Sequence, residues 1–433
     1  MERLLMQELI RWKDKKGRKP LIINGARQVG KTWLMKEFGK RYFSHCVYIG
    51  FDNNPRMREV FEQDYDIPRI LSALRVEYGA AFQAEDTLLI FDEVQEVPKA
   101  MTALKYFCEE APEYYIVAAG SLLGMALHQG TSFPVGKVDF LRLGPLNYYE
   151  FLLAAGEGEL AKLLRSGDYA LVNSFRSKYI DYLRKYYYVG GMPEAVRCYM
   201  ETDDTKEVRR IQKNLLLYYE NDFSKHAPKE QLVRIQMVWN SIPAQLAKEN
   251  RKFIYGIVRE GARAKDYEVA IQWLSDYGLI YKSFRVKKPG LPLISYMEQT
   301  SFKMYMLDVG LLAAKGNLSA KTLLEGSRIF EEFKGALTEQ FIAQELTQRG
   351  MELYYYSTEN SSGEIDFVLQ KEQYCIPVEV KAAENLRAQS LKAYCGKYQP
   401  ELAIRTSASD YREEAWMVNV PLYLFAEYMD AVE

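Results

Sequence analysis

Leu21-Ile22-Ile23-Asn24-Gly25-Ala26-Arg27-Gln28-Val29-Gly30-Lys31-Thr32-Trp33 is the stretch on which the reading of this chain turns. A short apolar run passes into the spacing G-x-x-x-x-G-K-S/T, and Leu34, Phe38 and Tyr42 then recur every four residues as one apolar helical stripe. Strand, glycine turn and helix are the setting a phosphate cradle needs. The glycines let the backbone curl so that successive N–H groups point at phosphate oxygens, at the positive end of the following helix. Lys31 would add a full charge at the β- and γ-phosphates, and the Thr32 hydroxyl would complete a Mg²⁺ shell. Gly25, Ala26, Arg27, Gln28, Val29, Gly30, Lys31, Thr32 and Trp33 are therefore the expected nucleotide contacts, with ATP and Mg²⁺ as ligands.

Outward from this stretch, β-rich apolar runs recur at Cys46–Ile49, Leu88–Phe91, Tyr115–Ala118 and Val138–Leu141, separated by helical patterns. That alternation predicts a parallel sheet with helices on both faces. The third run ends in Asp92-Glu93, and strand ends in such sheets face the ligand crevice. Asp92 is expected to hold Mg²⁺ and Glu93 to orient and deprotonate the attacking water, which makes Glu93 and Lys31 catalytic candidates. The fourth run ends in Ala118-Ala119-Gly120-Ser121, placing Ser121 where it would read the γ-phosphate. An acidic turn after a strand is the plainer alternative for Asp92-Glu93.

The chain of 433 residues has room for two to four units. With 48% hydrophobic and 27% charged residues it is expected to fold, and 57 basic against 58 acidic residues leave no global field toward nucleic acid or anionic membrane. No run is long and apolar enough to span a bilayer, and Met1–Lys19 lacks a signal-peptide pattern, so the expectation is a cytoplasmic protein without a membrane partner. Five scattered cysteines and three histidines argue against a zinc site or a Ser-His-Asp hydrolase.

The expected division is a P-loop unit at 1–150, a helical connector at 151–228 broken by Gly190-Gly191-Met192-Pro193, a winged-helix-like region at 229–300, and an α/β unit at 301–433. The wing is expected from strands Leu279–Val286 and Leu291–Tyr296 about a Lys287-Lys288-Pro289-Gly290 turn. Lys282, Arg285, Lys287 and Lys288, with Tyr281 and Phe284, would meet DNA phosphates there, unless they only solvate a hairpin edge. Lys248, Arg251 and Lys252 form a second basic cluster. In the last unit, strands Glu364–Gln370 and Cys375–Lys381 would pair about Lys371–Tyr374, bringing Asp366 toward Glu379, which shares a strand face with Lys381. That is the D…E-x-K pattern of metal-dependent nucleases, the acids binding Mg²⁺ and the lysine positioning water. A solvated hairpin face remains the alternative.

The sequence resembles the AAA-type ATPases, in particular a bacterial and archaeal family with a C-terminal domain of unknown function. The resemblance rests on Gly25–Thr32, Leu88–Glu93, Ala119-Gly120-Ser121, Leu143-Gly144-Pro145-Leu146 with Glu150-Phe151, Gly190–Pro193, Tyr305–Leu311, Gly363–Phe367 and Glu379–Lys381. It implies an AAA-like core, a winged helix and a terminal domain resembling a restriction endonuclease, in which Glu339 resembles an accessory acid. Lys137 stands where the family often has arginine, leaving Arg142 as the substitute at the γ-phosphate. Three functions stay open. One is a Mg²⁺-dependent ATPase whose nucleotide state controls the winged helix and a nuclease-like domain. The second is a nucleotide-gated DNA- or protein-binding switch with an inactive C-terminal domain, and the third a motor on DNA. A homo-oligomer or a partner protein is compatible with each.

Overall fold

The five apolar runs of the N-terminal third become strands of one sheet, the three central ones buried on both faces and the two edge ones partly exposed. They form β1 (Leu21–Asn24), β2 (His45–Gly50), β3 (Thr87–Asp92), β4 (Tyr115–Gly120) and β5 (Asp139–Arg142), in the spatial order β2-β3-β4-β1-β5, all parallel. Leu89 and Phe91 join Ile49, Ile116 and the helices Pro55–Gln63, Ile67–Tyr78 and Pro98–Glu110 in one core. Leu88 and Ile90, of opposite parity, are equally buried on the other face. The computed structural model describes residues 1–79, 83–120, 134–248, 251–326, 331–358, 363–382 and 388–432. Ser121 lies outside them. The chain separates into two units, Glu2–Gly144 and Pro145–Glu433.

The second unit begins with helices from Tyr148–Ala154 to Thr205–His226, and the Gly190-Gly191 break falls between Arg176–Val189 and Pro193–Thr202. There the Gly190–Pro193 and Tyr305–Leu311 motifs of the sequence meet. A Cβ on Gly190 would lie 2.2 Å from Asp308 Oδ1, and one on Gly310 would lie 2.5 Å from the Gly190 nitrogen. Asp308 caps the helix Val309–Lys315 by accepting from Leu311 N at 2.9 Å and also accepts from Gly191 N at 2.6 Å.

After the helices Leu232–Leu246, Tyr255–Val258 and Ala264–Asp276 comes a hairpin of β6 (Ile280–Val286) and β7 (Met297–Met306). The expected second strand at Leu291–Tyr296 is corrected: Leu293–Tyr296 is a 3₁₀ turn, because Pro289 and Pro292 cannot donate to a ladder, and pairing starts at Met297 opposite Val286. β6 also pairs with β8 (Tyr354–Ser357), and β8 with β9 (Glu364–Ile365), giving the sheet β7-β6-β8-β9. The expected division at 300/301 therefore falls inside β7. A further sheet joins β10 (Phe367–Lys371), β11 (Tyr374–Val380), β12 (Ile404–Ser407), β13 (Arg412–Glu414) and β14 (Met417–Pro421) in the order β10-β11-β12-β14-β13. The expected single strand Glu364–Gln370 is split at Asp366, whose Oδ2 accepts from Val380 N at 2.8 Å, a side chain standing in the ladder where a carbonyl would.

Candidate nucleotide site and the C-terminal acid cluster

The turn after β1 needs backbone angles that few side chains tolerate. Gln28 has φ 67°, Gly30 φ 94° and Gly25 φ 156°. Gly25 is forced for a second reason: a Cβ there would lie 2.1 Å from the carbonyl oxygen of Leu143. Leu143 N in turn donates to Asn24 O at 2.8 Å, and buried Arg3 donates to Val29 O at 2.9 Å and Gly144 O at 2.7 Å. Ala26 and Val29 are buried, Arg27 is half-buried, and Gln28 and Trp33 are exposed.

Lys31 opens the helix Lys31–Tyr42, and its ammonium donates to the carbonyls of Gly25 and Ala26, each at 2.8 Å. Burial pushes it down to about 8, against the pull of Glu93 and Asp92. The Thr32 hydroxyl donates to Asp92 Oδ2 at 2.6 Å, and Tyr48 Oη donates to the same oxygen at 3.0 Å. Burial moves the Asp92 carboxyl upward, with these hydrogen bonds opposing. A hydroxyl and a buried carboxylate in contact, beside a lysine held by neutral carbonyls, fit a hydrated Mg²⁺ and phosphate oxygens. Glu93 follows with φ 51°, and its Oε2 accepts from Gln95 Nε2 at 2.5 Å. The register sets Arg142 opposite Asn24 at the end of β5. Lys137 instead pairs with Glu109 at 2.9 Å, away from the role an arginine would have at that place. Arg3, Tyr48 and Gln95 escaped the sequence reading. Tyr48, a polar-tipped residue near the end of an otherwise apolar strand, was the one readable signal.

In the second unit, β10 and β11 pair with Phe367 opposite Val378, as the hairpin expectation required. Lys381 Nζ meets Glu379 Oε1 at 2.8 Å, but Asp366 and Glu339 take other partners. Lys303, on β7 and wholly buried, lies 3.0 Å from Glu339 Oε1, 2.6 Å from Glu364 Oε1 and 3.8 Å from Asp366 Oδ1. Arg251 pairs with Glu339 Oε2 and lies 3.9 Å from Asp366 Oδ1, while Tyr305 donates to Glu339. The helix Glu331–Gln348 that carries Glu339 is fixed along β7 by Gln340, which exchanges two hydrogen bonds with the Met306 backbone.

Burial alone would raise the Glu339 carboxyl, yet Arg251 and Lys303 hold it at about 2. Asp366 goes the other way, to about 7, because burial and the neighbouring Glu339 charge outweigh the two cations. Among the described residues no group of three His, Cys, Asp or Glu side chains is placed to hold a metal ion. The expected metal set was Asp366 and Glu379, with Glu339 and Lys381; two side-chain cations, Lys303 and Arg251, stand beside Glu339 and Asp366. On the β6–β7 hairpin, Arg285 is spent on Glu298 at 3.0 Å and the Ser357 carbonyl at 2.7 Å, Lys282 on Gln272, and Lys287 and Lys288 are exposed.

Residues 17–152 match a family model described as an AAA domain. Residues 180–322 and 334–425 match two domains of unknown function, DUF8612 and DUF4143. Comparison with curated proteins gave no match. Among solved structures, the Walker-type ATPase of Pyrococcus abyssi is 14% identical, aligned over 72% of this chain and 94% of its own, with a TM-score of 0.43. The Orc1 protein of Aeropyrum pernix in complex with DNA is 10% identical over 72% and 90% of the two chains, TM-score 0.27. Cdc6p of Pyrobaculum aerophilum is 14% identical over 73% and 93%, TM-score 0.26. Likeness at these scores carries no weight on function. No helix among the described residues is long and apolar enough to cross a membrane.

Proposed function

We propose that this AAA-type P-loop ATPase binds ATP with Mg²⁺ at Gly25–Trp33, hydrolyses it with Glu93 as general base, and uses its nucleotide state to set what residues 145–433 bind. The observation that carries the reading is the 2.6 Å contact between Thr32 and Asp92 beside a P-loop lysine whose partners are neutral. Thr32 and Asp92 would hold Mg²⁺, which when bound neutralises charge on the β- and γ-phosphate oxygens. The N–H groups of the turn and the Lys31 ammonium would fix the γ-phosphoryl group. Glu93, oriented by Gln95, would take the proton of the attacking water as its oxygen bonds to γ-phosphorus and ADP departs with the bonding electrons. Arg142 is the candidate for charge stabilisation that Lys137, engaged with Glu109, does not offer.

The partner of the second unit is DNA or a protein, and Lys287 and Lys288 on the β6–β7 turn are the cations available to phosphates. A Glu93→Gln protein is expected to bind ATP as tightly as wild type while releasing phosphate about 10²–10⁴-fold more slowly, the range of a lost general base. Phosphate release at the wild-type rate would remove Glu93 from the mechanism. Duplex retention that differs between ATP-loaded Glu93→Gln and the ADP form, and that weakens in Lys287→Ala/Lys288→Ala, is the result expected for a DNA partner. Equal retention in both nucleotide states would refute that arm.

A further inference from the structure

The acids that the sequence places in a nuclease-like pattern are divided between two sets of partners. Glu379 pairs with Lys381 and keeps one buried oxygen, Oε2, without a hydrogen-bond partner among the described residues. Asp366, Glu339 and Glu364 surround Lys303, with Arg251 entering from the segment before β6. Lys303 and Glu339 have no exposed side-chain surface. Two carboxylates so buried would repel each other strongly without a cation, and a divalent ion is one way to supply it. Here the charge is supplied covalently by the chain.

We infer that Lys303 and Arg251 stand in the place of a divalent cation, so that Glu339, Glu364 and Asp366 form a sealed ion cluster that binds no metal and cleaves no phosphodiester. Three observations converge on this. Lys303, wholly buried on β7, makes contact with all three acids. Arg251 adopts a left-handed backbone, φ 48°, and packs its guanidinium over Gly335, where a Cβ would lie 2.6 Å from Nη2. Tyr305 supplies a further donor to Glu339, a hydrogen bond that would compete with metal ligation for the same oxygen. The inference does not depend on ATP hydrolysis, and its test uses nucleotide-free protein.

Mn²⁺ binding to the full chain, read by electron paramagnetic resonance, tests it in wild type, Arg251→Met, and Arg251→Met/Glu339→Gln. Wild type is expected to bind no Mn²⁺ that Asp366→Asn or Glu379→Gln removes, and to leave duplex and single-stranded DNA intact in Mn²⁺. Arg251→Met, which strips one of two cations from three acids, is expected to gain a Mn²⁺ site at least about tenfold tighter than any in wild type, and the double variant to lose it. Wild-type Mn²⁺ binding or DNA cleavage abolished by Asp366→Asn or Glu379→Gln would overturn the inference. A folded Arg251→Met without added Mn²⁺ affinity would overturn the role given to Arg251. The wild-type measurement decides if Arg251→Met fails to fold.

Discussion

Both units place a lysine among carboxylates, and they use it oppositely. Lys31 donates to two carbonyls, and Asp92 accepts from two hydroxyls and the Glu93 amide, so the two attract each other across a gap without a direct ion pair. Lys303 is buried against three acids and Arg251 against two of them. Neutral partners position a charge without cancelling it, which suits a site awaiting a charged ligand. Charged partners cancel it, which suits a site that holds the fold together. A functional charge is recognisable by the neutrality of its neighbours.

The largest expected effect breaks the first half of that contrast. Lys31→Ala should lower phosphate release by about a thousandfold, at the upper end for loss of one charge-stabilising donor, while leaving thermal unfolding near that of wild type. A large fall in melting temperature would mean that Lys31 is structural. Glu339→Ala should do the reverse, costing about 3–5 kcal/mol of stability in chemical denaturation because Lys303 and Arg251 are left buried and unpaired. Unchanged stability would break the second half.

Acid titration sharpens the same half. Glu339 sits at about 2 in the fold against an ordinary 4.5. Its lowered value means that its stabilisation, up to roughly 3 kcal/mol, is fully present above pH 4.5 and lost as pH falls from there toward 2. Glu339→Gln should flatten that part of the stability profile. At the nucleotide site the sign is opposite in pH: with Lys31 lowered to about 8, its charge is lost as pH rises, so ATP affinity of the free protein should fall through that value, and Lys31→Arg should not show the fall. The smallest effect is expected at Tyr48→Phe, which removes one donor to Asp92 and should weaken Mg²⁺-dependent ATP binding by about 1 kcal/mol, or roughly fivefold in titration calorimetry.

The nucleotide site was legible because its parts are local. Eight residues fix the turn from Gly25 to Thr32, and the strand apolar to Phe91 delivers Asp92 and Glu93 at its end by β geometry alone. The acid cluster was legible only by halves. Asp366, Glu379, Glu339 and Lys381 could be named, since three of them share one hairpin, but the cations that decide their chemistry lie 36 and 88 residues from Glu339. In the sequence Arg251 reads only as one of three bases in a second basic cluster, and nothing there singles out Lys303. Strand limits slipped for a related reason: at Asp366 a side chain takes a ladder position, and no periodicity records that. The wing strand slipped where Pro289 and Pro292 withheld donors.

The contact between Gly25 and Leu143 has a mechanical meaning. Residues 143 and 144 are where the chain leaves the first unit, and they are clasped to the phosphate turn from behind by Arg3 and by the Asn24 carbonyl. There is no room for even a methyl group between Gly25 and the Leu143 carbonyl, so the turn and the residue after β5 pack backbone against backbone. A side chain at position 25 would therefore have to displace either the turn or the Leu143 carbonyl, both of them within the first unit.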